Sequence, residues 1–418
     1  MRIESIEAHA VAVPLSTRTA FSTRTVEERQ YVIVRVFAET GLDGVGYTYA
    51  GDSGGQWLAE GIEQLIAPRL RGTSVLAIEE SWERIFRDFL LLGRRGALLR
   101  MLSAVEIAVW DLFAKDARMP LRNVLGGSED TVAAYASGGY YRAGDPRDNL
   151  TAEIERYREL GFTDFKLKFG GLPLSEDLER VAAARRALHP SARLAVDVNN
   201  AWRTLGQAVQ AIDALTEYDI WWVEEPFAPD DIANHALLTA HSPIPIATGE
   251  IEATRFGFGE LIDQCAADIL QPDACVIGGI SEWWRVATLA AEESIAVIPH
   301  WHANIHAQLA AATPNCPAVE YFALDEDIYN FERLIANPLT VADGRIVLDQ
   351  RPGIGVEFDW EAVAWWSIPS SRTASQRPRV NGKGLLKAGL GGSHLPPVAA
   401  LDETRETTSR AGTDPLER

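Results

Sequence analysis

The sequence predicts an α/β fold: a closed barrel of parallel strand and helix units, preceded by a smaller α+β domain. The barrel rests on short apolar runs that each stop on a charged residue. Phe165-Lys166-Leu167-Lys168, Leu194-Ala195-Val196-Asp197, Trp221-Trp222-Val223-Glu224 and Ile244-Pro245-Ile246-Ala247-Thr248-Gly249 before Glu250 end at 168, 197, 224 and 250, steps of 29, 27 and 26 residues. Between them lie helix-period stripes, such as Leu205, Ala208, Val209, Ile212 and Leu215. The series continues through Asp268–Gln271 to Asp273, Ile295–Ile298 to His300, and Ala318-Val319 to Glu320. Side chains at the C-terminal ends of strands in such a barrel converge on one mouth, so residues distant in sequence would share a pocket. The leading α+β domain rests on antiparallel strand patterns followed by helices.

In chain order, Ile3–Val13 and Tyr31–Val36 read as strands, with turn chemistry at Gly41-Leu42-Asp43-Gly44-Val45-Gly46. Trp57–Leu70, Ile78–Phe89 and Ala97–Asp116 read as helices, and Pro120 closes the last. The expected division is residues 1–127 for the α+β domain, 128–325 for the barrel and 326–370 for a return to the first domain. That return runs through Tyr329–Leu334 and two β-like pieces around Leu339–Val347. Residues 371–418, with eight Lys/Arg against five Asp/Glu and hardly an aromatic, read as a disordered tail. Two stretches, Ser16–Gln30 and Tyr47–Gln56, have few apolar anchors. They are either ordinary surface loops or lids over the mouth.

Composition excludes several classes. At 418 residues and 47% hydrophobic content the chain can bury a large core. It has no run of about 18 apolar residues, and Met1-Arg2-Ile3-Glu4 begins like a strand, so a cytoplasmic protein without a membrane partner is expected. Cys265, Cys275 and Cys316 are an odd count without C-x-x-C spacing, which argues against disulfides or a zinc site. A formal charge of −20 argues against nucleic acid.

Asp197, Glu224 and Glu250 end three successive strands, which lie about 4.8 Å apart in a barrel. Unpaired, the three would repel. Either local Lys or Arg side chains neutralise each, or a hard divalent cation sits among them, and an all-oxygen set favours Mg²⁺. Glu225, by alternation, is expected to point the other way and support the site from behind. Lys166 and Lys168 share one face of a strand, where a lysine near a cation and a second lysine has a lowered pKa and can act as a base. Asp273 and His300 end neighbouring strands, which suits a carboxylate orienting an imidazole. His302 and His306 read as wall and helix residues.

These motifs together resemble the enolase superfamily, and within it the mandelate racemase group. Residues 97–127, with Ala104–Leu112, Pro120 and Leu125-Gly126-Gly127, resemble the segment that precedes its barrel. Lys166-Leu167-Lys168, Asp197-Val198-Asn199, Glu224-Glu225-Pro226, Gly249-Glu250, Pro272-Asp273, Pro299-His300 and Glu320 resemble its site motifs in order. The resemblance implies a capping domain on a modified TIM barrel, (β/α)₇β, usually as a homo-oligomer from dimer to octamer. It implies one Mg²⁺ per subunit on Asp197, Glu224 and Glu250, with Lys168 and the His300/Asp273 pair facing a small carboxylate substrate from opposite sides. Lys166 would add positive charge, and Glu320, if protonated, a hydrogen bond to the enediolate. Asp273 departs from the muconate-lactonising and succinylbenzoate-synthase group, which carries lysine there. The expected reaction is dehydration of an aldonate or aldarate to a 2-keto-3-deoxy acid, with His300 as acid for the leaving hydroxyl. The alternatives are racemisation or epimerisation of a 2-hydroxy acid, and a non-catalytic binding protein of the same fold. Asn199, Arg24, Tyr47 and Trp301 are expected substrate contacts; Ser16, Thr17, Thr19, Ser22, Thr23 and Thr25 could bind hydroxyls, whereas Tyr47 and Trp301 leave an aromatic substrate open.

Overall fold

The computed structural model describes residues 1–143 and 146–369; the tail expected at 371–418 lies outside them. Three antiparallel strands, β1 (Ile3–Phe21), β2 (Arg24–Ala38) and β3 (Asp43–Gly51), open the chain. Helical segments follow, of which Ala97–Asp116 is the longest. Eight parallel strands come next: β4 (Thr131–Gly138), β5 (Phe165–Lys168), β6 (Leu194–Asp197), β7 (Ile220–Glu224), β8 (Ile246–Thr248), β9 (Ile269–Leu270), β10 (Ala296–Val297) and β11 (Val319–Tyr321). They pair in sequence order from β4 to β10, and β11 returns to pair with β4. Seven helices, from Pro146–Glu159 to Ala303–Ala310, connect them, so the barrel is (β/α)₇β.

Register turns this barrel into a site. Lys168 pairs with Asp197 across β5 and β6, and Asp197 with Glu224 across β6 and β7. Alternation then puts Lys166, Lys168, Ala195, Asp197, Trp222 and Glu224 on the inner face. Trp222, Tyr135, Ala195, Ala247, Ile269, Ile298 and Ala318 fill the interior below the charged layer, and Trp222 and Tyr135 meet edge to face at 5.2 Å. This apolar plug fills the barrel below the charged residues, which sit at the rim.

Two expectations change here. Ser16–Gln30 is not a loop: β1 and β2 run on as a hairpin in which Thr19 faces Val26 and Phe21 faces Arg24. Its tip is pinned to the barrel, since Ser22 Oγ donates to Val198 O at 2.5 Å and Ala20 and Tyr141 exchange backbone hydrogen bonds of 3.0 and 2.8 Å. Tyr47–Gly51 likewise belongs to β3. The β-like pieces are a hairpin, β12 (Thr340–Ala342) and β13 (Arg345–Val347), but β13 pairs with barrel strand β4. The return to the first domain begins before them, at Asn330–Leu334, where Tyr31 Oη donates to Asn330 Oδ1 at 2.9 Å and Asn330 Nδ2 to Val13 O at 2.8 Å, and it resumes where Ala12 N donates to Trp366 O at 2.9 Å and Ile368 N to Ala10 O at 2.8 Å. Among the described residues, no helix is long and apolar enough to cross a membrane.

Helix Ala97–Asp116 joins the first domain to the barrel. β3 lies flush against it because Gly44 and Gly46 have no side chain: a Cβ at either would stand 2.1 Å from Ala108 O or Ala104 O. On its other side the buried Glu106 carboxylate accepts from Ile280 N at 2.7 Å, from Ser281 N at 3.0 Å, from Ser281 Oγ at 2.5 Å and from Trp110 Nε1 at 2.8 Å. Asp111 accepts from Val45 N at 2.7 Å and Ile354 N at 2.8 Å. Removing Glu106 would strand several buried donors at the junction. Glu106→Ala should therefore cost about 3 kcal/mol and lower Tm by several degrees; a melting temperature within a degree of wild type would show that Glu106 does not hold the domains together.

Candidate active site

The floor of the barrel mouth is an ionic cluster in which acids outnumber bases. Lys166 is buried beneath the rim, 2.5 Å from Glu224 Oε1, 2.9 Å from Glu320 Oε1 and 4.0 Å from Asp197 Oδ2. Lys168 pairs with Asp197 Oδ2 and lies 4.9 Å from the Tyr140 ring centroid. Burial alone would push both lysines down, but the carboxylates outweigh it and hold both above the usual range. The lowered lysine pKa expected from sequence belongs to a cation-loaded site; paired to Asp197 and Glu224, both lysines hold their protons. Glu320 was expected to donate a hydrogen bond only if protonated. Burial raises it, but Lys166 and Lys168 outweigh that and keep it ionised; it accepts from Trp301 N at 2.6 Å.

The remaining carboxylates have no such relief. Glu250 is aimed into the mouth by Gly249, whose φ of 126° and 2.7 Å clearance between a built Cβ and Phe258 exclude a side chain. Glu250 Oε2 is buried without a hydrogen-bond partner. Burial, then the charges of Glu225, Asp197 and Glu224, push its pKa far up. Glu225 is not behind the site. Its φ of 46° breaks the strand alternation and turns it onto the cavity wall, where Asn200 donates to it. Burial and the charges of Asp197 and Glu224 raise Glu225 to about 8, and burial raises Glu224 to about 7. One ligand oxygen from each of Asp197, Glu224 and Glu250 lies within 4.8 Å of the others. An orphaned carboxylate oxygen in an all-oxygen, acid-rich cluster is what a hard divalent cation requires, so these residues fit Mg²⁺.

Across the ring from β5, the end of β10 carries His300. Its Nδ1 lies 3.2 Å from Asp273 Oδ2 and its Nε2 3.6 Å from Glu250 Oε1. Burial, followed by the charges of Lys166 and Lys168, drives its pKa well below 6.5, so the imidazole is neutral near pH 7. Burial raises Asp273 to about 7, and Cys275 N donates to its Oδ1 at 2.8 Å. His302 and His306 are fully buried beside this pair; His302 shares a hydrogen bond with Tyr329, and His306 Nε2 accepts from Ala274 N at 3.0 Å.

Above the floor is a cavity of about 570 Å³. Lys168, Asn199, Asn200, Glu225, Glu250, His300 and Trp301 line it from the barrel. From the first domain come Phe21, Thr23, Arg24 and Arg29 of the hairpin, residues 49–54, and Arg100. Asn199 Oδ1 and Trp301 Nε1 are buried without partners. Arg24 lies at the exposed hairpin tip. Tyr47 does not reach the cavity: its ring is buried against His302 and Phe331, 5.1 and 4.5 Å away, and Tyr49, two residues along the same face, lines it instead. Arg29, Arg100, Tyr140 and Glu225 were not singled out from sequence as cavity residues. Tyr49 could have been, since strand alternation puts it on the same face as Tyr47.

The raised carboxylates set a pH signature. A carboxyl group with a raised folded-state pKa holds its proton in the folded chain and releases it on unfolding. Its stabilisation is therefore full below the ordinary value of 4.5 and is lost as pH climbs through the folded value. The lowered histidines work the other way, but only below 6.5. In EDTA, Tm should fall between pH 6.5 and 8, and Mg²⁺ should raise it by an amount that grows over the same window, because the cation replaces protons on Glu224 and Glu250. A Tm indifferent to Mg²⁺ at pH 8, by scanning calorimetry, would contradict the assignment.

Comparison with known proteins agrees with this geometry. The Enolase C-terminal domain-like model matches residues 149–363, and the Mandelate racemase / muconate lactonizing enzyme, N-terminal domain model matches residues 5–126. The chain is similar to L-talarate/galactarate dehydratase of Salmonella typhimurium, 31% identical over 374 residues that cover 88% of this chain and 92% of that one. It is also similar to 3,6-anhydro-alpha-L-galactonate cycloisomerase of Streptomyces coelicolor, 32% identical with 86% and 98% covered. A crystal structure of a racemase from Streptomyces coelicolor A3(2) with bound magnesium superposes with a TM-score of 0.82 at 31% identity, covering 88% of this chain and all of that one. The chain belongs to the enolase superfamily, in its mandelate racemase/muconate lactonizing enzyme group.

Proposed function

We propose that the chain is a magnesium-dependent hydro-lyase that dehydrates an acid sugar, an aldonate or aldarate, to a 2-keto-3-deoxy acid. The observation that carries this reading is a neutral imidazole, His300, backed by Asp273 and facing a polar cavity with Lys168 across it and an unneutralised carboxylate cluster below. Asp197, Glu224 and Glu250 would hold Mg²⁺, which would supply Lewis-acid positive charge to the substrate carboxylate.

The chain's own residues then account for the proton transfers. His300 Nε2 takes the proton from C2, and the bonding pair moves into the carboxylate to give an enediolate. Asp273 stabilises the resulting imidazolium through Nδ1. Lys166 and Lys168, both buried, contribute fixed positive charge beside the enediolate oxygens. The C3–O bond breaks, the proton on Nε2 leaves with the hydroxide as water, and the enol tautomerises to the 2-keto acid. His300 thus serves as base and then acid, the choice between it and Lys168 that the sequence left open. The similarity to a sugar-acid dehydratase and the orphaned polar atoms of Asn199 and Trp301 support a hydroxylated substrate. A cytoplasmic homo-oligomer is part of the proposal, and light scattering measures the assembly.

Lys168 on the opposite wall favours one second reading, racemisation by return of a proton to the other face. A panel of acid sugars with Mg²⁺, assayed for 2-keto acid, separates the two. Dehydration predicts keto acid from at least one member, reduced about 10³-fold in His300→Asn. In D₂O, α-proton exchange should vanish in His300→Asn; if it survives there and vanishes in Lys168→Ala, the lysine is the base. Inversion of a 2-hydroxy acid with no keto acid from any β-hydroxy acid would sink the dehydratase reading.

A further inference from the structure

The cavity has a negative floor and a positive roof. Among its lining residues, the first domain supplies Arg24, Arg29 and Arg100 against a single acid, Asp52. This occurs in a chain where 59 Asp/Glu face 39 Lys/Arg, and where other half-buried arginines, such as Arg142, Arg255 and Arg285, are each paired with glutamate. None of the three roof arginines pairs with a carboxylate among the described residues.

Two of the three are held in place. Arg29 Nε donates to Ile328 O at 2.9 Å, and its guanidinium lies 4.4 Å from the Trp301 ring centroid. Arg100 Nη1 donates to Tyr49 O at 3.1 Å, with its guanidinium 4.4 Å from the Tyr49 ring centroid. Each is half-buried, braced by a backbone carbonyl on one side and an aromatic face on another, with N–H groups left over. Trp301, another lining residue, carries a buried Nε1 without a partner. Half-buried cations without an ion-pair partner are costly, and a forked guanidinium matches a carboxylate better than it matches a hydroxyl.

We propose that this roof is a second anion subsite and that the substrate is an acid sugar with a carboxylate at each end. The inference deepens the dehydratase reading and rests on it for placing the first carboxylate on the floor; the far end of the molecule then meets Arg29 and Arg100. Arg24, at the exposed tip, steers the dianion inward.

Binding tests this without turnover. The full-length His300→Asn chain, loaded with Mg²⁺, is titrated calorimetrically with galactarate and galactonate, with glucarate and gluconate, and with 6-phosphogluconate. The hexarate of at least one pair should bind 20-fold or more tighter than its hexonate. Arg29→Gln and Arg100→Gln should each cut that ratio at least fivefold, with Arg→Lys restoring it only in part. Hexonates binding within twofold of hexarates in both pairs, no binding by any hexarate, or a preference that survives both glutamine variants would overturn the proposal. So would 6-phosphogluconate binding tenfold tighter than either hexarate, which would make the far group a phosphate. Wild-type enzyme that forms keto acid equally well from hexonates and hexarates removes the diacid inference alone; hexarate-selective binding with no keto acid from any sugar removes the dehydratase reading alone.

Discussion

The site depends on an unbalanced charge count in a dry place. Asp197, Glu224, Glu225, Glu250 and Glu320 are all buried at the barrel mouth, with Lys166 and Lys168 as their lysine partners. Two lysines keep Asp197 and Glu320 ionised, and the surplus falls on Glu224, Glu225 and Glu250, whose pKa values climb accordingly. Buried surplus charge must be relieved by protons or by a cation. The fold enforces the surplus: register brings Lys168, Asp197 and Glu224 side by side, Gly249 aims Glu250, and a left-handed Glu225 turns a fourth carboxylate inward.

The first domain closes that site with opposite charge. Its hairpin reaches over the mouth because backbone bonds to Tyr141 and the Ser22 bond to Val198 tie its tip to the barrel, so a polar segment with few apolar anchors is ordered by the strand ends it covers. Glu106 and Asp111 fix the helix that positions Arg100 over the Tyr49 ring, itself 6.2 Å from the His300 ring. Stability at the junction and chemistry at the mouth therefore share one helix.

The barrel and its charged rim were legible in the sequence because a parallel strand with an apolar body and a charged last residue leaves a repeating signature, and in-register neighbours make the last residues meet. The hairpin was not, since Ser16–Gln30 is polar on both faces and owes its extension to contacts outside itself. Strand alternation misplaced Glu225 because one left-handed residue cancels it, and Asn200, whose backbone N and side-chain Nδ2 both donate to Glu225, meets it there. Parity put Tyr47 and Tyr49 on one face but carried no information on depth, so the wrong tyrosine was assigned to the cavity. The lysine protonation was out of reach for a different reason: it depends on which carboxylates are left over, a sum over the assembled mouth.

The most direct measurement is a calorimetric titration of Mg²⁺ into the metal-free chain and into Asp197→Ala, Glu224→Ala and Glu250→Ala. If surplus carboxylates at three strand ends form one cation site, the wild-type chain binds a single Mg²⁺ per subunit and each variant loses affinity at least 100-fold while keeping its fold by circular dichroism. Wild-type affinity in all three variants would contradict the account.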